Sequence, residues 1–162
     1  MKTTILKISF IFLFLSLIGA GCEKEHENEQ QNVNITLYDK PLDVIQHYIN
    51  GNWKLQYQIG GIAGSKYVDK YNSYINLTPD HIIMENDLYG AVIDTTIVWK
   101  RILLEANVYT YLMGYPHPGS QYPTYFIIGQ IKNDTLIITD YNVSDGFTYY
   151  YSKHLHFYNQ LS

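Results

Sequence analysis

The chain has a single cysteine, Cys22, among its 162 residues. A lone cysteine has no partner for a disulfide bond and cannot build a thiolate metal site. An excess of basic residues is also missing, since 11 Lys and Arg stand against 15 Asp and Glu, for a formal charge of −4. A protein that binds nucleic acid needs a basic surface to displace phosphate counterions. We therefore exclude nucleic acid as a partner.

Motifs for hydrolytic chemistry are missing as well. The sequence has no Gly-x-Ser-x-Gly motif, and the acids in its second half are scattered rather than paired: Asp94, Glu105, Asp140 and Asp145. We predict that the protein is not an enzyme and has no catalytic residues and no cofactor. An enzyme whose acids converge only in the folded state is the alternative. His154 and His156 lie two apart, but no third ligand is evident, so we predict a solvated pair and no metal site.

The longest apolar stretch, residues 8–18, is shorter than the roughly 20 residues that a membrane-spanning helix needs. Two lysines, Lys2 and Lys7, precede this stretch, and the small residues Gly19, Ala20 and Gly21 follow it. This order of a basic, an apolar and a small-residue segment predicts a signal peptide over residues 1–21.

The segment that ends in Ala20, Gly21 and Cys22 resembles the lipobox of bacterial lipoproteins, although Gly19 stands where a larger aliphatic residue is usual. The resemblance implies that Cys22 becomes the first residue of the mature protein and carries fatty acyl chains such as palmitate. It also implies an anchor in the outer membrane of a Gram-negative bacterium. The polar residues after Cys22 predict a solvated tether over 22–40, and their acidic character favours display at the cell surface over a neutral spacer.

Removal of residues 1–21 leaves 9 basic and 15 acidic side chains, a formal charge of −6. A mature chain of 141 residues is the size of one domain. We assign that domain to residues 41–162.

Within this domain the spacing of apolar residues predicts one short helix that follows Pro41 and ends at Gly51. Short aromatic and β-branched runs separated by turn residues then indicate an all-β fold. We predict eight strands in an up-and-down antiparallel barrel, with a sandwich as the alternative, over residues 52–59, 68–77, 81–86, 91–104, 107–115, 122–132, 135–142 and 146–158.

The connections between these strands are unequal. Turns at 78–80, 105–106 and 132–134 are tight, whereas the segments at 60–67, 87–90, 115–121 and 143–145 are mostly longer or richer in Gly and Pro. Alternate connections lie at opposite ends of an up-and-down barrel, so we expect one closed end and one end fringed by loops. An eight-stranded barrel of this kind holds one small ligand.

Gly51, Asn52 and Trp53 resemble the Gly-x-Trp motif that opens the first strand of lipocalins and related calycins. Thr139, Asp140 and Tyr141 resemble the Thr-Asp-Tyr motif found late in the same family. The resemblance covers residues 41–158 and implies a ligand-carrying barrel. It departs from the family in two ways: Lys153 replaces the arginine expected to stack on Trp53, and no helix-length segment follows the last strand.

Seventeen tyrosines supply broad apolar faces that each carry a hydroxyl. We expect a small hydrophobic or aromatic ligand to enter between the 60–67 and 115–121 loops, with the first of these acting as a flexible lid. The predicted wall of the site is Tyr57, Trp99, Tyr125 and Tyr149, and its predicted rim is Tyr67, Tyr115 and Tyr122. The alternative is a barrel filled by its own side chains whose loops bind an envelope protein, as a subunit or an inhibitor.

Overall fold

The computed structural model describes residues 32–104, 107–116 and 121–154. The predicted signal peptide, Cys22, the start of the tether, the turn at 105–106 and His156 lie outside these residues. The described residues form one helix and eleven strands. In chain order they are β1 (Ile35–Thr36), α1 (Leu42–Ile49), β2 (Gly51–Gly60), β3 (Ser65–Val68), β4 (Tyr74–Leu77), β5 (His81–Asn86), β6 (Gly90–Thr96), β7 (Val98–Leu103), β8 (Tyr109–Tyr115), β9 (Thr124–Lys132), β10 (Thr135–Asp140) and β11 (Phe147–Lys153).

The helix lies where the apolar spacing predicts it. Pro41 precedes its first turn, where a missing N–H costs nothing. Ile45 and Ile49, four residues apart on one face, are fully buried. Gly51 has a φ of +124°, a conformation that side chains other than glycine rarely adopt, and the chain leaves the helix there to begin β2.

The chain is mostly β-structure, and its one antiparallel sheet is nearly closed into a barrel. Hydrogen bonds link nine strands in the order β6, β5, β4, β2, β11, β10, β9, β8, β7, so the first long strand pairs with the last. Two short strands lie outside this order: β1 pairs with β9, and β3 pairs with β2. The predicted all-β, barrel-like class is thus confirmed, whereas the predicted count of eight strands is not.

Two of the predicted strands are interrupted. The segment 68–77 breaks because the Asp69 carboxylate accepts hydrogen bonds from the backbone N–H of Tyr71, at 3.1 Å, and of Ser73, at 2.5 Å, which holds a turn between β3 and β4. The segment 91–104 breaks at Ile97, which is buried and donates its N–H to the Asp80 carbonyl at 2.7 Å. As a result β6 pairs with β5 and β7 with β8.

The ordered domain includes the end of the segment assigned to the tether. Ile35 and Thr36 pair with Ile131 and Gln130 of β9. Leu37 is fully buried in the core. Alternation of polar and apolar residues over only three or four positions is too short a pattern to distinguish such an edge strand from a tether.

The two ends of the barrel differ. One end carries the turns 78–80 and 133–134 together with α1, whose Gln46 side chain donates to the Pro79 carbonyl at 2.8 Å. The opposite end carries the connections 61–64, 87–89 and 141–146 and the described parts of 116–123. Half of the predicted lid is regular structure, since Ser65–Val68 pairs with residues 57–60 of β2.

Candidate functional site

The barrel interior contains a cavity of about 70 Å³. It lies among β4, β5, β8, β9, β10 and β11, and residues that alternate along these strands line it because successive side chains point to opposite faces of a sheet. The lining side chains are apolar, apart from the hydroxyls of three tyrosines. The residues that line the cavity are Ile75, Ile82, Met84, Met113, Tyr115, Phe126, Ile138, Tyr149 and Tyr151.

Aromatic rings form the wall of the cavity on the side of β8, β9 and β11. The Tyr115 and Phe126 rings are stacked with their centroids 5.6 Å apart, and Tyr149 meets Phe126 edge-on at 6.1 Å. Tyr151 continues the row at 6.4 Å from Tyr149. Rings at these separations stabilise one another through aromatic contacts.

Asp140 is hydrogen-bonded to this wall through Tyr149. Its carboxylate accepts hydrogen bonds from the Phe147 N–H at 2.7 Å and from the Tyr149 hydroxyl at 3.4 Å. Beside it, the hydroxyls of Thr139 and Thr148 lie 3.1 Å apart, and Tyr141 donates its N–H to the Tyr125 carbonyl at 2.9 Å. The Thr-Asp-Tyr segment therefore organises the turn between β10 and β11 and orients one phenol of the cavity.

The three phenols of the cavity are held in their neutral form. Burial raises the pKa of Tyr151 and Tyr149 far above the ordinary value for tyrosine. The Asp140 carboxylate raises the pKa of Tyr149 further, and the phenols of Tyr149 and Tyr115, followed by the Asp69 and Asp140 carboxylates, raise that of Tyr151. The pKa of Tyr115 is raised by burial and, to a smaller extent, by the Asp140 carboxylate. Each hydroxyl therefore keeps its proton, and that of Tyr149 is donated to Asp140.

Of the four predicted wall residues, only Tyr149 lines the cavity. Tyr57 lies on the outer face, where its ring stacks on Tyr150 at 4.4 Å and carries the Lys66 ammonium 3.8 Å from its centroid. The cause is a β-bulge: Tyr150 pairs with Tyr57 but Tyr151 pairs with Leu55, which leaves Gln56 as an extra residue. An extra residue turns every later side chain of the strand to the opposite face.

Tyr125 and Trp99 also lie away from the cavity. Tyr125 pairs with Gly114 on the outer face, with the Lys100 ammonium 5.7 Å from its ring centroid. It alternates with Phe126, the residue of β9 that takes the inward position. Trp99 packs at the closed end, where its indole N–H donates to the Pro79 carbonyl at 2.7 Å.

The predicted rim residues separate into two groups. Tyr67 and Tyr122 lie at the loop end, 50% and 77% exposed, and the Tyr67 ring meets Phe147 edge-on at 5.9 Å. Tyr115 is 6% exposed and belongs to the wall of the cavity, not to its rim. Tyr115 is the last residue of β8, so its side chain still follows the alternation of that strand.

Several cavity residues were not selected from the sequence: Ile75, Ile82, Met84, Met113, Phe126, Ile138 and Tyr151. The signal for some of them was present, because Tyr149 and Tyr151 share one parity in the last strand. For Met113 the alternation along β8 is a sufficient signal, whereas in β9 a register shift at Gly129 separates Phe126 and Ile128 from the alternation of Ile131. In β9 the predicted residue Tyr125 lies outside the cavity and its neighbour Phe126 lines it.

We also searched the part of the chain that the structure describes for metal-binding and histidine-containing sites outside the cavity. No group of three or more His, Cys, Asp or Glu side chains is placed to hold a metal ion there. Outside the cavity, His81 Nε2 and Asp94 Oδ1 are hydrogen-bonded at 2.6 Å on the surface. His154 lies against Tyr74, with ring centroids 5.1 Å apart.

Comparison of the chain with protein-family models, with curated proteins and with solved structures finds no match. None of the described helices is long and apolar enough to cross a membrane.

Proposed function

We propose that this protein is a membrane-anchored, non-enzymatic lipoprotein that binds a small, largely apolar molecule inside a lipocalin-like barrel. The observation that carries the proposal is the cavity of about 70 Å³, because apolar walls with a few convergent polar groups are typical of binding sites for small molecules. The anchor is the lipid expected on Cys22.

The volume of the cavity limits the size of the ligand. Pockets for drug-sized molecules measure about 300–1,000 Å³, and a cavity of about 150 Å³ in another protein accepts benzene. A cavity of about 70 Å³ suits a compact molecule of a few non-hydrogen atoms, or the end of a longer one. The two methionines in the lining, Met84 and Met113, are flexible side chains that enlarge such a space at low cost.

The composition of the lining supports binding over catalysis. The residues that line the cavity include no carboxylate, no histidine and no serine. Asp140, which is hydrogen-bonded to the lining residue Tyr149, already accepts two hydrogen bonds. Acid and base catalysis requires a positioned proton acceptor with a pKa near neutrality. The phenols of this site have pKa values raised away from that range.

The proposal is tested by matched substitutions on one strand. Ile138 lines the cavity, whereas its neighbour Ile137 belongs to the opposite face of β10. Mass spectrometry of extracts from natively purified protein should detect a small molecule that is retained by Ile137→Phe and lost from Ile138→Phe. An empty extract, together with no response to added apolar molecules, would refute the carrier.

A second function is favoured by the distribution of exposed apolar side chains. Of the twelve large hydrophobic residues that are exposed in the described part of the chain, eight lie at or beside the loop end: Ile62, Tyr67, Val68, Tyr71, Leu88, Tyr89, Tyr122 and Val143. Exposed apolar groups concentrated in this way mark a protein-binding surface. A partner bound by these loops would be lost from an Ile62→Ser, Val143→Ser variant and retained by Ile138→Phe.

A further inference from the structure

A row of side chains leads from the cavity to the loop end of the barrel. Tyr149 lines the cavity, and the Phe147 ring follows it with 6.3 Å between the ring centroids. The Tyr67 ring meets Phe147 at 5.9 Å, and Tyr67 is 50% exposed, so the row ends in solvent. Asp140 belongs to the same group, because its Oδ2 accepts from the Tyr149 hydroxyl at 3.4 Å and from the Phe147 N–H at 2.7 Å. We call these four residues the mouth of the cavity.

The backbone places the carboxylate and the rings of the mouth on the inner face of the sheet. Asp140 is the last residue of β10 and lies two positions after Ile138, which lines the cavity. Phe147 is the first residue of β11 and lies two positions before Tyr149. Side chains two apart in a strand share one face. The mouth therefore continues the wall of the cavity toward the loop end.

The Asp140 carboxylate has no positively charged partner among the described residues. Both of its hydrogen bonds go to Oδ2, and no Lys, Arg or His in that part of the chain forms an ion pair with it. Three lysines that could supply a positive charge are instead held over aromatic rings on the outer face of the sheet. They are Lys54 over Tyr74, Lys66 over Tyr57 and Lys100 over Tyr125. The mouth thus combines an unbalanced negative charge with aromatic rings.

An organic ammonium ion matches both kinds of group in the mouth. A carboxylate binds its charge directly, and the faces of aromatic rings attract it within about 6 Å of their centroids. An anion would be repelled by Asp140, and a neutral molecule would leave that charge unpaired. The mouth is open to water at Tyr67, so an ammonium group there keeps part of its hydration and avoids the full cost of burying a charge.

We propose that the ligand is a small organic amine whose ammonium group binds in the mouth, against Asp140 and the rings of Phe147 and Tyr149, while its alkyl group enters the apolar cavity. This ligand class rests on the proposed function and makes it more specific. The cavity of about 70 Å³ limits the alkyl group to a few carbon atoms.

The chain provides its own reporters for a test. It has three methionines, of which two, Met84 and Met113, line the cavity and the third is Met1. Protein labelled with ¹³C at the methionine methyl groups is titrated at neutral pH and constant ionic strength with n-butylammonium, 1-butanol and butanoate. The ammonium and the alcohol should both shift the Met84 and Met113 signals, and the ammonium should bind about tenfold more tightly, as for one charge-assisted hydrogen bond. Butanoate should shift neither signal over the same concentrations.

Substitutions isolate the charge and the ring. Asp140→Asn keeps an acceptor for the Phe147 N–H but removes the charge, so it should weaken n-butylammonium about tenfold and leave 1-butanol nearly unchanged. Asp145→Asn removes the same charge from an exposed position in the same connection, and as the matched control it should change neither affinity. Phe147→Leu leaves Asp140 in place and should weaken n-butylammonium about two- to fivefold through the lost ring face. Circular dichroism checks that each variant folds, and Phe147→Leu keeps the test decisive if Asp140→Asn does not.

The outcomes separate the two claims. If none of the three probes shifts the methyl signals, the carrier function fails and the amine assignment fails with it. If 1-butanol binds but n-butylammonium binds no more tightly than the alcohol, the cavity remains a binding site and the amine assignment is overturned. Equal affinity of Asp140→Asn and Asp145→Asn for n-butylammonium, or binding of butanoate as tightly as of the ammonium, also overturns that assignment.

Discussion

The ammonium group of Lys153 lies over the indole ring of Trp53, 4.4 Å from its centroid. The same group donates a hydrogen bond to the Asn50 carbonyl at 2.9 Å, while the Trp53 indole N–H donates to the Ile49 carbonyl at 2.7 Å. Ile49 is the last residue of α1 and Asn50 follows it, so the two side chains join the end of α1 to β2 and β11. Burial lowers the pKa of Lys153, and the Asp134 carboxylate acts in the opposite direction.

Trp53 is expected to be a principal contributor to stability at this closed end, since it is only 2% exposed. Trp53→Ala should lower the free energy of unfolding by about 3–5 kcal/mol through lost burial and the cavity that remains. Trp99→Ala, at a partly exposed position, is the control and should cost less. Urea denaturation measures both, and a loss below about 1 kcal/mol for Trp53→Ala, as at surface sites, would contradict its structural role.

Lys153 should stabilise the fold through its positive charge over Trp53 and its hydrogen bond to Asn50, not through the apolar part of its side chain. Lys153→Met keeps most of the apolar stem and removes both interactions, so we expect a loss of about 1 kcal/mol. Lys54, whose ammonium lies 5.5 Å from the Tyr74 ring centroid, provides the comparison. Lys54→Met should cost less, and equal losses in the two variants would show that Lys153 has no special contact with Trp53.

The fold class could be predicted from the sequence because its signals are local. Apolar spacing over 42–49 and short β-branched runs bounded by turn residues depend on neighbours along the chain, and both the helix and the barrel-like sheet follow them. The break at Ile97 could not be predicted in this way. It depends on a hydrogen bond to Asp80, which belongs to another turn.

The candidate site was harder to predict than the fold, because one bulge changes which tyrosines face inward. Tyr149 follows the regular alternation of β11 and lines the cavity. Tyr57 lies beyond the extra residue Gln56 and points outward. No residue type marks that bulge in the sequence, so the prediction that Tyr57 faces inward was wrong.

The phenol cluster should make stability sensitive to alkaline pH. Burial raises the pKa of Tyr151 in the folded state, whereas in the unfolded chain it is about 10. Above that pH the unfolded state loses the proton and the folded state retains it, so the stabilisation that is complete below pH 10 is lost as pH rises. The wild-type free energy of unfolding should fall by up to about 1.4 kcal/mol per pH unit more than that of Tyr151→Phe.

Urea denaturation of both proteins between pH 8 and 11 tests this expectation. Comparison with Tyr151→Phe cancels the opposite contribution of Lys153, whose lowered pKa makes the folded state more favourable as pH rises toward 10.5. Parallel pH profiles for the two proteins would mean that the Tyr151 phenol is not protected in the folded state.

Gly60 and Gly129 should respond differently to the same substitution. A Cβ at Gly60 would lie 2.4 Å from the Gly146 carbonyl and 2.8 Å from the Phe147 Cα, both backbone atoms of the paired strand region. A Cβ at Gly129 would have its nearest contact, the Ile137 carbonyl, at 3.4 Å. Gly60→Ala should therefore cost about 1–3 kcal/mol, as for overpacking, and Gly129→Ala less than about 1 kcal/mol. Thermal unfolding distinguishes them, and equal stability would refute the close approach at Gly60.

The membrane anchor is tested at Cys22, the one cysteine of the chain. Since it is the proposed acceptor of the lipid, Cys22→Ser should abolish incorporation of labelled palmitate and move the protein from the membrane fraction to the soluble fraction. Stable anchoring requires more than one acyl chain, so loss of the acceptor should release the protein completely and not in part. Asn28→Ser, in the polar stretch after the cysteine, is the control and should stay lipidated and membrane-bound. Recovery of Cys22→Ser in membranes at the wild-type level would refute lipidation as the means of attachment, without bearing on the cavity.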